Sequence, residues 1–210
     1  MKILLTVLML VSYLFSGISV QGAESSTSRI TPKKITILDR PLIPTGYGIT
    51  KLLEKDYYLG RLAIDEAAIY RTPEDLIYID AARSMEFKFV SERKISGRTF
   101  ARQLAEGIKI NNDPKALRES MAQIKRFIAF FKRNIKKGDV IRIDYHGNFG
   151  TRVYQNKRLL GEISASLYFY RCVLNIWLGE RPPSAKFKSG LLGQNGDEYA
   201  IELQTRYEAI

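Results

Sequence analysis

The chain has 210 residues, 45 % hydrophobic and 26 % charged, a globular balance that excludes a collagenous, disordered or disulfide-scaffold protein. Lys and Arg number 33 against 22 Asp and Glu, for a formal net charge of +11. With a single cysteine, Cys172, and a single histidine, His146, an intrachain disulfide, a His/Cys metal cluster and a Cys–Cys redox pair are all excluded.

Met1-Lys2 is followed by an apolar run from Ile3 to Phe15 and small residues up to Gly22 and Ala23, the pattern of a secretory signal peptide at 1–22. The apolar core is shorter than the about 20 residues that span a bilayer, and Ser12 and Ser16 interrupt it. Cleavage after Gly22 or Ala23 is therefore expected, giving a periplasmic or secreted protein. Outside the cytoplasm the basic balance points to anionic membrane surfaces or acidic polymers rather than nucleic acid.

Residues 23–33 are a polar lead-in, and the domain is read over 34–193. Lys34 to Leu38 alternates, and Asp39-Arg40-Pro41 turns it into Leu42-Ile43, a short hairpin. Thr45-Gly46-Tyr47-Gly48 breaks the chain before a second extended stretch, Ile49–Leu53. Tyr57–Ile64 reads as a strand buried over most of its length, with Gly60 allowing a bend or a close approach. Thr72-Pro73-Glu74-Asp75 starts a short helix. Met85, Phe87 and Phe89 alternate with Glu86 and Lys88, a strand with one wet face.

Phe100, Leu104 and Ile108 mark an amphipathic helix, and Asp113-Pro114 opens another. In the latter, Leu117, Met121, Ile124, Ile128 and Phe131 follow a continuous helical spacing. Lys125-Arg126, Lys132-Arg133 and Lys136-Lys137 recur along the same segment, as a solvated face or a surface for anionic lipid. Ile141, Ile143 and Tyr145 open a three-strand meander with turns at Gly147–Gly150 and Asn156-Lys157. Leu167–Leu178 is a helix apolar nearly all round, Lys186–Leu192 adds a turn, and the 194–210 tail is left without an assignment. The order predicts an α+β domain, an antiparallel sheet with a helical layer on one face.

Single residues offer little chemistry. His146 borders a turn, Cys172 lies in the apolar helix, and Gly46-Tyr47-Gly48 lacks the third glycine of a dinucleotide loop. No Gly-x-Ser-x-Gly elbow occurs, and no cofactor is implied.

The whole-chain pattern says more. Tyr58-Leu59-Gly60-x-Leu62-Ala63-Ile64 in a strand, Lys137-Gly138-Asp139 before another, and Ile176-Trp177-Leu178-Gly179-Glu180-x-Pro182-Pro183-Ser184 resemble the chalcone isomerase-like family, in particular its secreted bacterial members. The resemblance covers Ile35 to Gly193. It implies an open-faced β-sandwich with a helical layer, a fold shared by plant isomerases and by non-catalytic relatives that bind fatty acids in the same cleft.

The resemblance also places the isomerase positions. The family arginine falls at Thr50, the strand threonine at Tyr58, the helix tyrosine at Phe100, the asparagine at Gly107 and the last polar residue at Ile176. One polar group of the five is kept, so the isomerase constellation is absent. Lys51 and Arg61 are substitute cations, but strand alternation turns Lys51 away from the side Thr50 faces, and turns Arg61 away from Tyr58 unless Gly60 marks a bulge.

The expected function is non-catalytic binding of a small apolar or amphipathic molecule, in a cleft built around Thr50, Tyr58, Arg61, Phe100 and Ile176. Two other readings stand beside it: an isomerase or lyase using Tyr58, and an envelope module binding anionic lipid or protein.

Overall fold

The structure, a computed structural model, describes residues 34–164 and 166–210; the signal peptide expected at 1–22 and the lead-in expected at 23–33 lie outside the described residues. Seven strands form one antiparallel sheet whose spatial order is the order of the chain. They are β1 (Ile35–Ile37), β2 (Arg40–Leu52), β3 (Lys55–Asp65), β4 (Arg83–Phe89), β5 (Val140–His146), β6 (Gly150–Gln155) and β7 (Arg158–Ile163). A short 3-10 helix, Pro73–Ile77, joins β3 to β4, with Thr72 and Asp75 closing a capping box at its start. Between β4 and β5 lie α1 (Gly97–Asn111), α2 (Pro114–Glu119) and α3 (Met121–Ile128). After β7 come α4 (Leu167–Leu178), α5 (Ala185–Leu191) and α6 (Asp197–Glu208).

Two expectations are corrected. β2 does not break at Thr45–Gly48; it runs straight through, with a register shift between Pro44 and Gly46. The glycines there serve a close approach by α5. A Cβ on Gly46 would lie 2.0 Å from the Gly190 carbonyl oxygen, and one on Gly48 would lie 2.7 Å from the Phe187 ring.

The helix read through to Phe131 is in fact two. It breaks at Ser120 and ends at Ile128, so Phe127 enters the core while Met121 is left 43 % exposed. The basic residues are divided accordingly. Lys125 and Arg126 stand on α3, whereas Lys132 to Lys137 lie beyond it, where Ile135 bridges to Ile95.

The two faces of the sheet differ. One carries the inward rows of β3, β4 and β5, among them Tyr58, Met85, Phe87, Phe89 and Ile143, and packs them against α1, α3, α4 and α5 in one large core. On the other, Leu203 and Tyr207 of α6 cover Tyr47 and Leu59 near one edge. A separate cluster of Ile35, Ile37, Leu42, Ala63, Ala82 and Phe149 lies under β1. The tail that carried no assignment is thus a packed helix, and its acids Asp197 and Glu198 suit its first turn.

Candidate functional site

Four of the five expected cleft residues meet in the layer between the sheet and the helices. Thr50 and Tyr58 are directly opposed across β2 and β3, and both are buried. The Tyr58 hydroxyl accepts a hydrogen bond from Trp177 Nε1 on α4 at 3.1 Å. Burial pushes its pKa up to about 12, so at neutral pH it is a neutral phenol. Phe100 on α1 packs edge-on to Phe89 at 5.4 Å, and Phe89 lies 5.5 Å from the Tyr58 ring.

Ile176 on α4 fills the space that Gly107 leaves on α1: a Cβ on Gly107 would meet Ile176 Cγ2 at 2.8 Å. The two positions where the family resemblance puts polar groups therefore close on each other as an apolar pair.

Arg61 does not join them. The β3–β4 register is unbroken through Gly60, so there is no bulge, and Arg61 pairs with Glu86 on the opposite face of the sheet. There it is 3 % exposed. Its Nη2 lies 3.0 Å from Glu86 Oε1, its Nη1 lies 3.4 Å from Glu208 Oε1, and its guanidinium sits 4.8 Å from the Tyr207 ring centre. Burial opposes its charge, but the neighbouring Tyr207, Glu86, Tyr47 and Glu208 outweigh burial and raise its pKa. Beside it runs a cleft of about 520 Å³ lined by Glu86, Lys88, Arg142, Tyr154 and Glu208 among others. Arg61 is thus engaged by acids of its own chain.

At the far end of the helix-covered face lies a second buried arginine that the sequence reading passed over. Arg83 is fully buried. Its Nη1 donates to the Leu76 carbonyl of the 3-10 helix, while Nε and Nη2 have no hydrogen-bond partner. No carboxylate among the described residues pairs with it. Its guanidinium stands 5.6 Å from the ring centre of Tyr145 and 5.2 Å from that of Tyr170, two rings stacked at 4.9 Å. Each such cation–π contact is worth about 1–2 kcal/mol, against a cost of several kcal/mol for an unpaired buried ion. Burial accordingly lowers its pKa.

The Tyr170 hydroxyl and Thr151 Oγ1 are also buried without a partner, and Thr151 faces Tyr145 across β5 and β6. A signal for this cluster existed. Arg83 has the parity of Met85, Phe87 and Phe89, so the apolar row that defines β4 begins with a cation.

The remaining candidates are structural. His146 ends β5, where its Nδ1 accepts from the Asn148 amide at 3.0 Å and its ring stacks on Phe149. The Cys172 thiol is buried on α4, and burial raises its pKa. Among the described residues no group of three His, Cys, Asp or Glu side chains is placed to hold a metal ion.

Comparison with known proteins bears on this arrangement. The chalcone isomerase-like family model matches residues 24–193, and the chain belongs to that family. No curated protein sequence matches it. The crystal structure of a fatty-acid binding protein of Arabidopsis thaliana superposes with a TM-score of 0.56 at 14 % identity, covering 82 % of this chain and 100 % of the plant chain. That likeness is one of fold: a curled antiparallel sheet backed by helices.

Proposed function

We propose that this chalcone isomerase-like protein is a non-catalytic binder of a small amphipathic molecule, fatty-acid-like in class, held between the sheet and its helical layer, and that it works outside the cytoplasm after export through the 1–22 leader. The carrying observation is the state of the positions that would run an isomerisation. Phe100, Gly107 and Ile176 are apolar and pack into one layer, and the Tyr58 phenol is tied to Trp177. General acid–base catalysis is most efficient for a group whose pKa lies near the working pH. Burial pushes Tyr58 up to about 12, away from that range, which supports a packing role for its phenol. The shared fold with a fatty-acid binding protein supports the ligand class.

The test is a native mass spectrum of the protein as purified, followed by a denatured spectrum, and then palmitate titration of the delipidated protein. An acyl-chain mass lost on denaturation, or one-to-one palmitate binding, is the expected outcome. A bare protein that takes up neither palmitate nor hexadecanol would overturn the reading.

A further inference from the structure

We propose that Arg83 is a carboxylate anchor, whose Nε–Nη2 edge and the Tyr170 hydroxyl hold the head group of an organic acid at the end of the helix-covered face. The apolar body of that acid rests on the ligand-binding reading above; the head-group site rests on the orphaned donors themselves.

The two buried arginines of the sheet make the contrast. Arg61 has Glu86 on one amino group and Glu208 on the other. Arg83 is as deeply buried, yet only Nη1 is used, on the Leu76 carbonyl. The atoms left over are Nε and Nη2, which share one edge of the planar guanidinium. That edge donates two parallel N–H bonds, the geometry that a carboxylate accepts with both oxygens. The partnerless Tyr170 hydroxyl, on a ring in contact with the same guanidinium, supplies a third donor.

Charge agrees with geometry. The charged neighbours of Arg83 are Arg171, half-buried on α4 with its Nη2 on the Tyr78 carbonyl, and the exposed Asp80. Asp80 is already the acceptor for the Tyr145 hydroxyl, at 2.9 Å. A monoanion would balance Arg83 one for one.

A groove of about 660 Å³ opens at this end of the sheet, lined by the polar Arg40, Asp65 and Asp80 and by the apolar Ile69 and Ile79; its wall reaches Ala82, the residue before Arg83, but not Arg83 itself. Ile69 is 91 % exposed, so part of that wall is bare apolar surface. The anchor is also remote from the position of the family arginine. Thr50 and Tyr58 sit level with Phe89, six residues along β4 from Arg83, or about 20 Å.

The test compares palmitate, hexadecanol, acetate and inorganic phosphate on the delipidated full-length protein by calorimetry, in the wild type, Arg83→Lys and Tyr170→Phe. Tyr170→Phe keeps the ring and removes only the hydroxyl, and its melting curve checks the fold independently of binding. Wild-type protein is expected to prefer palmitate over hexadecanol by about tenfold or more, in line with a charge-assisted bidentate bond. Both variants should lose most of that preference while still binding hexadecanol. Binding of palmitate and hexadecanol without preference, or a preference that survives both substitutions, would overturn the anchor and leave the ligand-binding reading standing. Arg83-dependent binding of acetate alone would support the anchor, assign it to a free small acid and overturn the acyl-chain reading. Phosphate binding tighter than any carboxylate, or no binding of any probe, would overturn the anchor.

Discussion

Asp144 is a carboxylate that the fold holds against its own preference. It is 2 % exposed on β5, and although Arg142 Nε lies 3.0 Å away, burial outweighs that attraction and the like charge of Glu86 adds to it, so its pKa is pushed up to about 6. The unfolded chain releases this proton near pH 4, so between about pH 4 and 6 the folded state binds a proton that the unfolded state has lost. Stability therefore falls as pH rises through that window and levels off above it. Asp144→Asn is expected to match the wild type in urea unfolding near pH 4 and to exceed it at pH 7.5 by about 3 kcal/mol. Equal stability at both pH values would show that burial does not control this group. Strand parity made the placement of Arg61 legible from sequence, and the same rule places Arg83. Parity did not say which arginine would find acids, because Glu208 comes from α6, far along the chain.

Between elements, the clearest complementarity is the α1–α4 contact, where Gly107 receives Ile176. Restoring the family's polar residue with Gly107→Asn would drive side-chain atoms into that isoleucine, at a cost of about 1–3 kcal/mol. Ile176→Ala alone should cost about 2–5 kcal/mol through the cavity it leaves. The double variant is expected to lose less than the sum of the two, which a double-mutant cycle in urea measures. Strict additivity would mean that the two positions do not share the space. The run from Ile176 to Ser184, the most specific part of the family resemblance, has a structural account of the same kind. Trp177 bonds Tyr58 and lies 4.5 Å from Phe87, a Cβ on Gly179 would sit 2.5 Å from the Asn175 carbonyl oxygen, and Ser184 caps α5 through the Phe187 amide. The α2–α3 break was not legible. The apolar spacing continues through Ser120, and only packing decides that Phe127 rather than Ile128 turns inward.

For the molecule as a whole, α6 lies beyond the 24–193 span of the family match yet completes the sheet's second face. Leu203 and Tyr207 are fully buried, the Tyr207 hydroxyl bonds Glu86, and Glu208 pairs with Arg61. Deleting residues 197–210 is expected to lower unfolding stability by at least about 3 kcal/mol from the lost apolar burial alone. It should also expose Tyr47 and Leu59 to a hydrophobic dye; an unchanged melting temperature would show α6 to be only draped on the sheet. The sequence by itself determined the α+β class, the antiparallel sheet and most of its strands and helices, β2 and the α2–α3 break excepted, because alternation, capping residues and turn residues are local signals. Through the family resemblance it also set apolar residues at Phe100, Gly107 and Ile176, where the isomerases carry polar ones, since residue identity is all that such a comparison needs. Only the tertiary structure decided that these positions close on one another, that Arg61 is paired across the sheet, that the last segment is a helix on the second face, and that Arg83 is buried without an acid. Each of these depends on what residues distant in the chain bring to the same place, and neither burial nor charge compensation is a property of a local window.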